Sequence, residues 1–542
     1  MTATSNTLSQ NALLFLRVKL HECRTTHTNC QRNYGTDHGF YPARLLKVRG
    51  RTRSQVQLVD TDQGHKFPYF TLSHCWGDVQ PLQLNSDTEQ DLRAGFDIQN
   101  LPPTFKQAIE ICRELDMDYL WIDSLCIYQD RLSDWHAQAA FMQGIYTQAV
   151  CNIAATSAWD STIGLRFTRN PIATVPFQVT ISGQSQSLSS TNHGVQVTTY
   201  TLHNTSRYIF NVASGPLNQR AWVLQESLLS RRIIHFASSG IYWECMSDIS
   251  SDLYPDGLVE DSLHGFTDWV ELKRMLFSMT SRHTHRADKG WSDELYAAWI
   301  NLLDSYTWRR LSHEADIFVA LCGIAQKVAD VTGDELICGL WKTHIVPQLL
   351  WYRSGGIMGP RNPDNWRAPS WSWASTLMPI KSISHGLCKY ARSKATVEGL
   401  EVDATRSGQV KSASITIRGK LVCALLEQRY HEGYPYPASV VCLSSGESRG
   451  NLDIVCMDSK RDEVFSGNVV CVALYEDTCN EGLVPDSLFL PDSRYILGVL
   501  ILMQCNSGPD CYRRVGVMFL TEEHYYFYIS IESSEETQIR IV

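Results

Sequence analysis

Nowhere in the chain do five or six lysines or arginines fall together. Acidic side chains outnumber basic ones by 57 to 48, for a formal net charge of −9, whereas a surface that tracks a phosphate backbone needs clustered positive charge. Nucleic acid is therefore not an expected partner. Long apolar runs are missing as well. Tyr495 to Met503 is about half of what a helix needs to cross a bilayer, and Ala12 to Leu16 is too short for the core of a secretory signal. The expected setting is the cytoplasm, with no membrane partner. No G-x-x-x-x-G-K-[ST] loop is present, which excludes an ATPase switch module of that kind. There is no internal repeat and no low-complexity tract.

What is present describes a folded chain. Hydrophobic residues make up 44% and charged residues 19% of the sequence, and 542 residues call for two or three separate cores. The 17 cysteines are odd in number and scattered, mostly within apolar patterns, as at Cys112, Cys126, Cys151, Cys322 and Cys423. Buried reduced thiols fit that distribution better than a disulfide framework.

From Thr104 the chain alternates helix and strand signals. Thr104 and Gln107 have capping-box spacing, and Phe105, Ala108, Ile109, Cys112 and Leu115 recur at helical period. Tyr119-Leu120-Trp121-Ile122, ending at Asp123, reads as a strand covered on both faces. A second helix follows through Trp135, Ala139, Met142, Tyr146 and Ala149, and then a buried strand from Val150 to Ala155. Strand, helix, strand with short links signals parallel crossovers, whose strand C-terminal ends form the usual ligand edge. Residues 181 to 206 look like a polar excursion between core elements. Helical patterns return after Arg220 and again from 266 to 352, whereas short alternating runs from about 410, including Ser414 to Ile417, Val469 to Tyr475, Ile496 to Met503 and Tyr525 to Ile531, predict an antiparallel β region. The expected division is an N-terminal helical segment (1–50), an α/β domain (51–250), a helical region (251–380) and a β-rich region (381–542).

Three long motifs, in order, carry a resemblance to a known family. They are Tyr69 to Gly77 (YFTLSHCWG); Leu101-Pro102-Pro103-Thr104-Phe105 followed by Tyr119 to Asp130 (YLWIDSLCIYQD); and Pro216 to Glu226 (PLNQRAWVLQE), continued by Leu229 to Arg232 and by Tyr242-Trp243-Glu244-Cys245. Together they resemble the fungal HET-domain (heterokaryon incompatibility) proteins. His74 departs from the pattern, standing where the family often has an aromatic residue. The resemblance implies a TIR-like parallel-sheet HET domain with a helical extension and a C-terminal antiparallel β-rich region. It also implies a part in fungal non-self recognition and programmed cell death. Some TIR domains cleave NAD at the glycosidic bond, so the chemistry implied is that of an NAD glycohydrolase-like hydrolase. Two further readings stand beside it: a non-enzymatic interaction and signalling module, and an accessory or biosynthetic enzyme of fungal secondary metabolism. The expected partners are accordingly a small-molecule nucleotide substrate, a protein partner or a second copy of the chain. No cofactor is expected.

Within the motifs, Trp222 and Glu226 are four apart and share a face if the segment is helical. A carboxylate there would act beside a ribose and an indole would stack on a ring. The competing reading makes Trp222 core and pairs Glu226 with Arg220, Arg231 or Arg232. Asp123, at a strand's C-terminal end, is the second catalytic candidate, against a role as helix cap or as acceptor for Ser73 or a backbone amide. Ser73 and Trp76 are placed with Trp222 as ligand-binding residues. Ser73 and His74 are neighbours on one strand and so make a poor nucleophile and base pair.

Apart from these, Cys23, His27 and Cys30, with His21 nearby, are suitable zinc ligands at i, i+4 and i+7, and His38 or another residue would complete a tetrahedron. Three ligands from one continuous helix is awkward geometry, so packing is expected there and no metal site is assigned.

Overall fold

A computed structural model describes residues 5–31, 41–49, 52–61, 67–169, 177–184, 195–202, 208–258, 272–277, 290–354, 366–376, 378–382, 391–404, 410–429, 438–443, 455–457, 467–477, 495–505, 508, 510–521 and 525–542. The chain divides into two compact units, Met1–His283 and Thr284–Val542.

In the first unit α1 (Gln10–Thr25) and the short α2 (Thr28–Gln31) precede β1 (Arg44–Lys47), β2 (Gln55–Asp60) and β3 (Tyr69–Ser73). Then come α3 (Glu89–Ala94), β4 (Phe96–Asp97), α4 (Pro103–Glu114), β5 (Tyr119–Ile122), α5 (Asp123–Cys126), α6 (Leu132–Ala140), α7 (Met142–Gln148) and β6 (Cys151–Ala154). A separate pair, β7 (Phe177–Gln184) and β8 (Val195–Leu202), is followed by α8 (Ala221–Leu229), β9 (Arg232–Ala237), β10 (Gly240–Cys245) and β11 (Ile249–Ser251).

All but β7 and β8 of these strands join one sheet in the order β11-β10-β9-β6-β3-β5-β1-β2-β4. Its centre is parallel, β3 lying between β5 and β6, with β9 beyond β6. The flanking pairs are antiparallel. Every residue of β3 and β6 is buried, as strands covered on both faces must be, which explains their near-continuous apolar sequence. The chain leaves β3 for β5 on one side and returns to β6 on the other. That reversal makes the C-terminal end of β3 a topological switch point, the position at which ligands of open α/β sheets bind.

Local details differ from the sequence pattern. Thr104 and Gln107 do not form a capping box, since α4 starts at Pro103. The Thr104 hydroxyl instead accepts from Gly164 N–H at 3.1 Å, and Gln107 Oε1 accepts from the N–H groups of Leu165 and Arg166. Both side chains pin the loop after β6. The predicted helix through Trp135 and Ala149 is two helices, because Phe141 N–H bonds to Gln138 O in a tighter turn. The described parts of the polar excursion are the two strands of the β7/β8 pair.

The second unit opens on helices Asp293–Thr307 and Val319–Thr332. Trp299 meets Trp341 edge to face, and Tyr306 meets Trp373 in the same way. Trp371 and Trp373 are fully buried, as packing residues should be. Strands Ala391–Ser393, Gly467–Asp477, Tyr495–Gln504, Cys511–Thr521, Glu536–Ile541, Val410–Arg429 and Ala395–Ala404 follow one another across a second sheet. It is antiparallel except where Cys511–Thr521 runs beside Glu536–Ile541. Tyr525 to Ile531, predicted as a strand, is an α-helix, Tyr525–Glu532. Phe527 and Ile531, four apart, bury one face of it, so tertiary packing overrides the β preference of its aromatic residues. Every cysteine whose side chain is described is free.

Candidate active site

Four elements converge at the C-terminal end of β3. That strand ends at Ser73, with His74 next; α7 contributes Tyr146, β6 contributes Asn152, and α8 contributes Glu226. The Asn152 amide sets the orientation of Ser73. Its Nδ2 donates to Ser73 Oγ at 2.9 Å, while its Oδ1 accepts from Thr71 Oγ1 at 3.0 Å. Ser73 Oγ in turn donates to Asn152 Oδ1 at 3.2 Å, and the Ser73 and Tyr146 hydroxyls both favour the ionised form of Glu226.

Glu226 is 6% exposed. Burial raises its pKa above the ordinary 4.5; Arg220 and the Ser73 and Tyr146 hydroxyls pull the other way, and the charge on Asp123 adds to the rise. Arg220 does not clasp Glu226 but donates to the His74 carbonyl. Arg232 is spent elsewhere, its Nε lying 3.0 Å from Cys23 Sγ. Burial likewise drives the Tyr146 hydroxyl well above its usual value, with Glu226 and Asp123 reinforcing the shift.

Asp123 heads α5, where its Oδ1 accepts from Ser124 N–H at 2.8 Å. Its Oδ2 accepts from Trp76 Nε1 at 2.9 Å. The side chain is 27% exposed, so it keeps a face to solvent. Trp222 shares the α8 face of Glu226 by spacing and lies edge to face with Trp135, ring centroids 6.4 Å apart. The strap from His74 to Gly77 packs tightly. Gly77, at φ +65°, lies so close to Asp160 and the Trp159 carbonyl that a Cβ would come within 2.5 Å of Asp160 Cβ.

His74 is buried, and neither ring nitrogen has a hydrogen-bond partner. Nδ1 lies 3.6 Å from Asp123 Oδ1, and the ring stands edge-on to Phe105. Burial lowers its pKa from 6.5 to about 4, Arg220 acting in the same direction against Asp123. A depressed base binds fewer protons folded than unfolded, so stability falls as pH drops from 6.5 towards 4. His74→Phe removes two unpaired nitrogens and that dependence. The expected result is a gain of about 1 kcal/mol in urea unfolding at neutral pH, widening at pH 5. A loss of stability at both pH values would contradict it.

Deeper in the same sheet lies a second buried charge. Glu244 accepts from Lys273 Nζ at 2.7 Å and lies 3.3 Å from His235 Nε2 and 3.2 Å from the Tyr208 hydroxyl. Burial opposes its ionisation, but Lys273 and His235 outweigh that and hold its carboxyl at about 2.

Comparison with known proteins was made with this geometry in hand. The profile of the heterokaryon incompatibility protein (HET) family matches residues 69–226. The chain carries a HET domain. No curated protein and no solved structure matches the chain. The matched span of the HET domain opens on the first residue of β3 and closes on Glu226, so it holds Ser73, His74, Trp76, Asp123, Tyr146, Asn152, Arg220, Trp222 and Glu226 together. Among the described residues no helix is long and apolar enough to cross a membrane.

Two of the grouped residues, Asn152 and Tyr146, are not singled out by the sequence as site candidates. Asn152 was legible in principle, as the one polar side chain in the run from Val150 to Ala155. Tyr146 had no such signal, because its helical spacing is that of any core aromatic.

Proposed function

We propose that the HET domain is a TIR-like effector of heterokaryon incompatibility, cleaving the N-glycosidic bond of a dinucleotide such as NAD in a cell-death response to non-self fusion. The observation that carries this reading is Glu226. It is a buried carboxyl at the sheet's ligand edge, favoured in its ionised form by Arg220 and by the Ser73 and Tyr146 hydroxyls, and Arg220 spends its hydrogen bond on the His74 carbonyl. A structural carboxylate at that depth would have a tightly paired cation, as Glu244 has in Lys273.

In this reading the bond between ribose C1′ and the nicotinamide nitrogen breaks. Its electron pair leaves with the ring, which becomes neutral, and positive charge develops on the ribose. The ionised Glu226 stabilises that charge, water adds at C1′, and the proton released passes to solvent. Ser73 and Tyr146 hold the carboxylate in place, Asp123 faces the incoming nucleotide from the wetter side, and Trp76 and Trp222 supply apolar walls for its rings. Because Glu226 must be ionised, the rate should rise with pH through a window above 4.5, the ordinary carboxylate value.

The test is release of nicotinamide from NAD by the purified full chain. Turnover with an acid limb displaced upwards supports the reading. A folded chain that leaves NAD and related nucleotides intact would turn attention to a protein partner or self-association.

A further inference from the structure

The break after α1 changes the meaning of the N-terminal cysteines. The sequence pattern puts Cys23, His27 and Cys30 on one helix face, but α1 stops at Thr25, where Thr26 N–H closes on Glu22 O at 2.8 Å. A new turn begins at His27, whose carbonyl accepts from Cys30 N–H at 2.9 Å. The chain thus folds three ligands around one point, and β10 brings a fourth, Cys245, from more than two hundred residues away. His21 points outward, and His38 lies outside the described residues.

The donor atoms of Cys23, His27, Cys30 and Cys245 all lie within 4.8 Å of one another. Tetrahedral zinc, with bonds of about 2.3 Å to sulfur and 2.05 Å to imidazole, sets sulfurs about 3.8 Å apart and sulfur about 3.5 Å from nitrogen. Cys245 Sγ lies 3.5 Å from His27 Nδ1. The three sulfurs are buried and unbridged, whereas a disulfide would draw two of them to about 2 Å.

The surroundings suit an anionic metal centre. Arg232 Nε donates to Cys23 Sγ at 3.0 Å, and its Nη2 and Nη1 donate to the carbonyls of Cys30 and Val150. The Ser247 N–H points at Cys245 Sγ at 3.5 Å. Arg232 is buried, yet among the described residues no carboxylate pairs with it. A buried guanidinium without a counter-charge is costly. Zinc held by three thiolates and one imidazole carries a net charge of −1, which supplies that counter-charge, and N–H groups aimed at the sulfurs are the usual outer partners of such ligands.

We infer that Cys23, His27, Cys30 and Cys245 bind one zinc ion in a closed structural site that fastens the N-terminal helices to strand β10. Four protein ligands leave no position for water or substrate, so the site is a staple and not a second reaction centre. Binding replaces the thiol protons with metal and releases them to solvent.

The experiment measures zinc in the full chain purified under reducing conditions, followed by chelation and retitration with zinc alone. Wild type should hold one zinc per chain, and the zinc-free protein should melt lower and recover on addition of metal. Cobalt in place of zinc should give the absorption of a tetrahedral thiolate site. Cys245→Ser should lose the metal, as should His27→Gln, whose partly exposed ring makes a well-folded variant the expected product. Each should weaken zinc by more than the 10- to 100-fold, roughly, that loss of an outer partner costs. Cys112→Ser, a buried thiol in α4, should retain it. Wild type that neither carries nor takes up zinc overturns the proposal. So does wild-type affinity in both His27→Gln and Cys245→Ser, or alkylation mapping that finds two of the cysteines joined as a disulfide.

Discussion

Glu226→Gln is expected to abolish nucleotide cleavage while leaving the fold intact and, above the ordinary carboxylate range, more stable than wild type. Removing one preorganised group that stabilises transition-state charge costs on the order of 10²–10³ in kcat. Glutamine keeps the size of the side chain and one acceptor oxygen for Ser73 and Tyr146, so the loss should fall on kcat more than on KM. The stability arm has its own sign. An acid whose folded pKa is raised binds more protons folded than unfolded, so wild-type stability declines as pH climbs from 4.5 through the raised value. The glutamine variant lacks that decline. Melting temperatures of the two proteins should therefore diverge with rising pH and then run parallel. A variant with full activity would remove Glu226 from the reaction, and curves that stay parallel throughout would mean that burial leaves its ionisation unopposed.

Lys273→Met should strongly destabilise the first unit's core. Lys273 and Glu244 have side chains 0% and 2% exposed, with 2.7 Å between Nζ and Oε1. Deleting one partner of such a pair strands the other charge, at a cost of about 3–5 kcal/mol. Joining Glu244→Gln to Lys273→Met should restore part of the loss, because two neutral groups replace an orphaned ion. The wild-type pair also carries a pH signature. A depressed carboxyl adds stability that is complete above 4.5 and is lost as pH falls towards about 2. Urea unfolding at neutral pH measures the single and double variants, and a loss below about 1 kcal/mol for Lys273→Met would mean that water reaches Glu244.

How far these features were legible depends on the range of the interaction behind them. The parallel centre of the first sheet could be read because continuous apolar strands such as Tyr119 to Ile122 are a local signature of burial on both faces. Asp123 could be placed at a strand end for the same reason. Glu226 and Ser73 could be singled out, but not their meeting through Asn152 and Tyr146, which depends on how β3, β6, α7 and α8 pack. The helix at Tyr525 was read as a strand because alternation in a short run does not reveal which face a distant sheet will bury. The convergence of Cys23, His27, Cys30 and Cys245 is not legible in the sequence: helical spacing carries Cys23 to Cys30 past the break at Thr25, and no local pattern ties them to Cys245.

The position of β3 has a consequence for anyone wishing to isolate the recognisable part of the chain. The HET match begins at Tyr69 and ends at Glu226, yet β5 is paired on its far side with β1, and β6 with β9, both outside that span. A polypeptide cut at those limits would carry the candidate site between two bare strand edges, each offering unpaired amides and carbonyls to the next molecule. Such a fragment should associate edge to edge, whereas one running from α1 through β11 keeps β5 paired with β1 and β6 paired with β9.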